Sequence, residues 1–375
     1  MKKILAIILV LATLLALVAC KKEYEPREST EEEARVVMTF TMDGKEYEVK
    51  YELYRALFLN YKTEIDGGNA DVWTSENKSE YVSKINSLII DKITDIYAAF
   101  AVCEKIGFDL YSKDVEKQIK EYVKISVEGG SYGSKTMHGY DSYNDYLAAL
   151  KSANLNYSVQ TLLFRYAIAI DAIDAHYIGT ATPDEVNYDI TLGALQYTEE
   201  DVRSFYDSED CARVLRASFQ KVISYDPYET AVNLKNKMVD AAATSSTLVD
   251  KEAAVLKAIT KSGYFANAAE VENGYVIGKY NLERLYYGDM TDAVFSIGEG
   301  EVTDPISITD EEDTYYVIYR TYKTDEHFAA NYNSIRYVYL RNCVGEIIHT
   351  AAQTLEASVV FSDFLTNINH SEIGM

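Results

Sequence analysis

Arg213-Val214-Leu215-Arg216-Ala217-Ser218-Phe219-Gln220-Lys221-Val222-Ile223 is the stretch on which the fold turns. Its apolar and polar residues alternate with the two-residue period of a strand, where the preceding sequence runs at a helical period. The change persists downstream. Residues 228–243 and 249–261 read as helices, and 274–280 as a glycine-punctuated strand. Residues 290–295 read as a short helix, and 314–322 as a strand rich in aromatic and β-branched residues. Strand, two helices, strand, helix and strand compose a compact α+β domain of ordinary size.

Upstream, the pattern is helical. Ile85, Leu88, Ile89, Ile93, Ile96, Phe100 and Cys103 recur at spacings of three and four, the stripe of a helix that buries one face. Gly107 suits its C-terminal end, and Ser112 caps the next helix. Residues 143–150 and 157–178 are further amphipathic helices, and the glycine- and tyrosine-rich stretch 128–140 reads as a loop. Thr182 and Thr198 each precede acidic residues in the manner of a helix start. Before the helices, residues 36–49 form a hairpin with Asp43-Gly44 at its turn. The tail, 329–364, returns to helix, with Ile335, Val338, Tyr339, Ile347, Ile348 and Leu355 as buried candidates.

The first residues carry a different message. Lys2 and Lys3 precede an apolar run over residues 4–19, interrupted only by Thr13 and ending Leu17-Val18-Ala19-Cys20. A basic start, an apolar centre and small residues at a cut site make a secretory signal. The run is shorter than the ~20 residues that a membrane span needs. Residues 21–35 are charged and poor in apolar side chains, as suits a flexible tether.

Composition limits the partners. The net charge is −23, which repels nucleic acid and anionic headgroups, so nucleic acid is not expected as a partner. Such a charge solvates a secreted protein, and it also attracts basic, unfolded chains. Cys103, Cys211 and Cys343 show no C-x-x-C spacing, and the five histidines are scattered, so neither a metal site nor a disulfide framework is indicated. Phosphate-binding and nucleophile-elbow motifs are missing, and no cofactor is expected.

Several segments, in order, resemble the PrsA/SurA family of extracytoplasmic foldases. Leu17-Val18-Ala19-Cys20 resembles the lipobox of bacterial lipoproteins, which implies that Cys20 is acylated and becomes the first mature residue. Residues 40–47 resemble the family's opening strand and turn, residues 85–92 its long helix, and 103–108 with 114–116 the helix junction that comes next. Thr198 to Tyr206 resembles the segment before the parvulin domain. Val214 to Ser218 resembles the first parvulin strand. Ile297-Gly298-Glu299-Gly300-Glu301-Val302-Thr303-Asp304-Pro305-Ile306 carries the most specific match.

The resemblance implies an α+β, mostly helical protein. Its expected parts are a signal peptide (1–19), a lipidated cysteine and tether (20–35), a helical chaperone domain (36–207), a parvulin-like domain (208–325) and a C-terminal helix (326–375) returning to the chaperone domain. It implies unfolded or secreted polypeptides as partners, and a membrane held through the lipid.

Inside the parvulin-like domain the chain departs from the family. Isomerisation must lower a barrier of ~20 kcal/mol set by amide resonance. The family uses an apolar pocket over a polar cluster that includes two histidines. Phe219 and Tyr316 stand at those positions, and Tyr286 and Met290 stand near the family's pocket Met and Phe. Phenylalanine makes no side-chain hydrogen bond, so the polar cluster cannot form as in the family. Phe219, Tyr286, Met290 and Tyr316 are therefore candidates for a peptide-binding pocket, with Phe219 alternatively a core residue, and no catalytic residue is assigned. The leading expectation is a membrane-anchored chaperone with weak or lost isomerase activity. An active isomerase with a variant site is the first alternative, and a solute-binding lipoprotein the second.

Overall fold

The computed structural model describes residues 24, 27–66, 69, 72–74, 76–132, 135–179, 193–219, 226–264, 273–280, 284–307, 314–368, 370 and 373. Cys20, the apolar run before it, and the helix start at Thr182 fall outside them. The protein is α+β and mostly helical. Its contacts divide it into two compact units, residues 1–176 with 347–375, and residues 177–346.

In the first unit, strands β1 (Val36–Met42) and β2 (Lys45–Lys50) form the expected hairpin. Asp43 and Gly44 both have positive φ, 52° and 80°, the left-handed pair that a two-residue turn requires. Helix α1 (Tyr51–Asp66) comes directly after, then α2 (Lys78–Lys105), α3 (Lys113–Glu128), the short strands β3 (Gly130–Tyr132) and β4 (Lys135–Met137), α4 (Tyr143–Ser152) and α5 (Tyr157–Tyr177). Helix α2 buries the stripe read from the sequence: Ile85, Ile89, Ile93, Ile96 and Cys103 are fully enclosed. The Cys103 thiol donates to the Ala169 carbonyl, 3.5 Å away, and burial raises its pKa to about 12, so it acts as a small core residue. Ser112 and Ser142 cap α3 and α4 through their hydroxyls, which accept from Val115 and Asp145 N–H.

The second unit contains α6 (Glu199–Asp207), β5 (Cys211–Phe219), α7 (Pro227–Ala243), α8 (Leu248–Ser262), β6 (Tyr275–Gly278), α9 (Arg284–Ser296), β7 (Ile306–Ser307) and β8 (Tyr315–Thr321). The strands form one antiparallel sheet in the order β6-β5-β8-β7. Thr198 opens α6 with a full capping box, its hydroxyl accepting from Asp201 N–H while the Asp201 carboxylate accepts from Thr198 N–H.

The last elements are α10 (Asp325–Glu356), interrupted by non-helical Asn331, then β9 (Val360–Phe361) and α11 (Asp363–Asn367). Two features differ from the sequence reading. Residues 128–140 include a small hairpin, β3 with β4, where a loop was expected. The tail is not helical throughout: β9 adds to β1, pairing Met38 with Phe361 and Thr39 with Val360. A two-residue strand is too short to leave a periodic signal.

The contacts divide the chain at 176/177 and 346/347. Val202, Phe205 and Tyr206 of α6 and Phe328, Ile335, Val338 and Tyr339 of α10 share one core cluster with Cys211 and Val276 of the sheet. Apolar burial therefore assigns α6 and the first part of α10 to the second unit. Residues 347–375 cluster with the first.

Candidate functional site

The sheet of the second unit has two unlike faces, and strand alternation decides which residues meet. Leu215, Ala217 and Phe219 of β5 point to one face with Val317 and Tyr319 of β8. There α7 and α8 cover them with Ala231, Leu234, Met238, Val255 and Ile259. Both helices are anchored by caps, Asp226 with Pro227 behind it and Thr247. This face is a closed core. Phe219 is fully buried there, its ring 4.7 Å from that of Tyr264.

Arg213 opens toward the same side. Its guanidinium donates to both carboxylate oxygens of Glu252 on α8 (3.1 and 2.8 Å) and to the carbonyls of Asn273 and Tyr322. Thr321 adds a hydrogen bond to Glu252 at 2.7 Å. The pair is buried and fully engaged, a structural lock between strand and helix.

The opposite face carries Ala212, Val214, Ile277, Ile306, Tyr316 and Ile318, covered by Met290 and Val294 of α9. Beyond these, Arg216 and Ser218 are only half-buried. The Arg216 guanidinium lies between two rings, 5.0 Å from the centroid of Tyr275 and 5.0 Å from that of Tyr316. Register sets this grouping: Ser218 pairs with Tyr316, and Ile306 pairs with Tyr316 from the other side.

The stretch Ile297–Ile306 holds β7 in place. Gly298 N–H donates to the Glu301 carboxylate at 2.7 Å. Gly300 N–H and Thr303 N–H donate to the carbonyls of Arg320 and Ile318, and the Thr303 hydroxyl accepts from Ile318 N–H at 3.1 Å. Arg320 in turn donates to the Ile297 carbonyl at 2.7 Å, just past the C-terminal end of α9. The outcome is a second buried apolar cluster, with Met290, Ile306 and Tyr316 among its members, and the half-buried Arg216 lies against two aromatic rings at its edge.

Of the residues singled out in the sequence, Met290 and Tyr316 meet on this face. Phe219 does not join them, because neighbouring positions on a strand point to opposite sides. The side chain of Tyr286, one turn before Met290 on α9, and Cys20 lie outside the described residues. Arg216, Ser218, Tyr275 and Ile306 were missed. Counting back from Phe219 in steps of one and three would have placed Ser218 and Arg216 on the same face as one another, but nothing in the sequence says which face α7 and α8 cover.

Among the described residues no group of three or more His, Cys, Asp or Glu side chains is placed to hold a metal ion, and no helix is long and apolar enough to cross a membrane.

No family model matches the chain, and comparison with curated proteins finds no match either. Solved structures do resemble it. The foldase protein PrsA from Lactococcus lactis is 15% identical, with 88% of this chain and 97% of that one covered at a TM-score of 0.21. PrsA from Bacillus subtilis is 13% identical, with 87% and 93% covered at 0.22. The foldase protein PrsA from Streptococcus pneumoniae is 11% identical, with 88% and 96% covered at 0.21.

Proposed function

We propose that this protein is an extracytoplasmic chaperone of the foldase type, anchored to the membrane through lipid on Cys20, that binds unfolded or translocated polypeptides. Prolyl isomerisation is weak or lost. The ordered run of foldase-like segments and the lipobox-like Leu17-Val18-Ala19-Cys20 support the class and the anchor.

One observation carries the functional half of the reading. The two positions that resemble the family's histidines hold Phe219 and Tyr316, and these side chains lie on opposite faces of the sheet. No shared polar cluster can form between them. An isomerase needs preorganised polar contacts to the twisted amide, and removing one such contact typically costs ~3–4 kcal/mol of transition-state stabilisation. Peptide binding needs no such cluster. The half-buried part of the face that carries Tyr316, at Arg216 and Ser218, is where a bound chain would lie.

The test is a paired assay on the full chain. One arm follows isomerisation of a prolyl peptide, the other suppression of aggregation by an unfolded client. Suppression without isomerisation is the expected result. A rate equal to that of an ordinary parvulin would move the enzyme reading to first place, and inactivity in both arms would remove the chaperone reading.

A further inference from the structure

The first unit holds a second candidate site, at the C-terminal end of α3. An open cavity of about 540 Å³ is lined there by Tyr24, Glu128, Tyr140, Asp141 and Tyr143 among others. Three rings form its walls. Tyr24 and Tyr143 meet at 5.0 Å with planes tilted by 38°, making a corner. Tyr140 is 43% exposed, and it is braced edge-on against buried Tyr146 at 5.7 Å. Burial, and for Tyr24 also the Glu128 carboxylate, raises the phenol pKa of Tyr24 and Tyr143, so both rings stay neutral.

The cavity floor is built from backbone. Tyr140 N–H donates to the Val127 carbonyl at 2.7 Å, which seats residues 139–140 on the helix end. Gly139 makes this approach possible: a Cβ there would lie 2.4 Å from the Glu128 carbonyl carbon, a distance no side chain tolerates. The Tyr24 hydroxyl donates to Glu128 at 3.0 Å, drawing Tyr24 into the wall.

Negative charge predominates around this cavity, with Arg27 a cation that acts on Tyr143. The C-terminal end of a helix carries partial negative charge, and Glu128 and exposed Asp141 add two carboxylates. Lys124 reaches Glu128 only at 3.9 Å, with both side chains 41% exposed, a weak pair. Anions are repelled by such a cavity. A neutral apolar group would gain the rings but would desolvate the carboxylates without a partner. A cation over aromatic faces gains both terms. Carboxylates and helix-end carbonyls also call for N–H donors, which a quaternary ammonium lacks and an alkylammonium or guanidinium supplies.

We infer that this cavity captures lysine or arginine side chains of an unfolded polypeptide. The inference deepens the chaperone reading and rests on it: client segments with basic residues are held at α3, and the aromatic walls pack along the aliphatic stem of each side chain.

The test uses the full chain and a dye-labelled, unstructured Gly/Ser peptide carrying four lysines, titrated by fluorescence anisotropy at physiological salt. Tyr140→Ala, Tyr140→Leu and Asp141→Asn should each weaken binding roughly fivefold, the range expected for a cation–π contact or a close charge. Tyr140→Phe should keep the wild-type affinity, because the ring face and not the hydroxyl is required. Glu356→Gln, the same charge change at an exposed site elsewhere, should shift affinity less than about twofold. A peptide with acetylated lysines should bind all variants equally and weakly.

Equal weakening by Glu356→Gln, wild-type binding by Tyr140→Leu, or competition by phosphatidylcholine vesicles would overturn the inference. Suppression of client aggregation that survives in such a case leaves the chaperone reading standing. Loss of suppression with the peptide series as expected removes that reading and keeps the cation site.

Discussion

Phe219 and Tyr316 stand one step out of register across the β5–β8 ladder: Tyr316 pairs with Ser218, and Phe219 pairs with Tyr315. One residue therefore belongs to the core under α7 and α8 and the other to the buried cluster under α9. Phe219→Ala should destabilise the second unit by about 3–5 kcal/mol, the usual cost of emptying a buried phenylalanine site. Chemical denaturation measures it. Peptide affinity, measured where the variant is still folded, should be unchanged. Tyr316→Ala, also at a buried position, should destabilise the unit too and, where the variant is still folded, lower peptide affinity because Arg216 loses one of its two ring contacts.

The buried pair Arg213–Glu252 predicts a different kind of asymmetry. Glu252→Ala leaves a desolvated guanidinium and should cost about 3–5 kcal/mol. The double substitution Arg213→Met with Glu252→Leu should recover most of that loss, because no unpaired charge remains. Denaturation midpoints of the single and double variants check this, and a double variant less stable than Glu252→Ala would refute it.

Some of these arrangements were legible in the sequence and others were hidden. Long periodic helices such as α2 and the β1–β2 hairpin were readable because their signals are local: a stripe with helical spacing, and Asp43-Gly44 at a turn. The order of elements around β5 was readable for the same reason. The core shared by α6 and α10 was not. Tyr206 and Ile335 belong to one core although over a hundred residues separate them, and no local pattern records such a contact. The candidate site suffered likewise. Met290 and Tyr316 came from a family resemblance, and the face on which Phe219 lies depends on strand register. The Tyr24–Tyr143 corner joins residues distant in sequence and was invisible before folding.

The tail of the chain carries a prediction about the first unit. β9 pairs with β1, Ser362 N–H donates to the Val37 carbonyl at 3.0 Å, and the Phe364 ring lies 5.3 Å from Tyr51 with Arg35 above it. Deleting residues 357–375 should expose the edge of β1 and loosen this hairpin. Amide exchange of β1 should then rise toward that of a free strand, while β5 and β8 of the other unit keep their protection. Unchanged exchange in β1 would show that the added strand contributes nothing.

His327 predicts acid sensitivity in the second unit. Its Nδ1 lies 3.0 Å from the Tyr206 hydroxyl, with the two rings stacked at 5.8 Å. Burial first, and the nearby Arg213 cation second, lower its pKa from 6.5 to about 4. The unfolded chain therefore takes up this proton more readily than the folded one. Stability from this group is complete above about pH 6.5 and falls away as pH drops through about 4. The full loss is on the order of 3 kcal/mol, by the conversion of about 1.4 kcal/mol per pKa unit. Acidic side chains titrate near the lower end of the same window, so a difference measurement isolates the histidine. His327→Gln cannot be protonated there. Its unfolding free energy should fall less than that of the wild type between pH 7 and pH 5, by about 2 kcal/mol. Parallel curves for the two proteins would mean that the imidazole titrates alike in both states, and that burial does not hold it neutral.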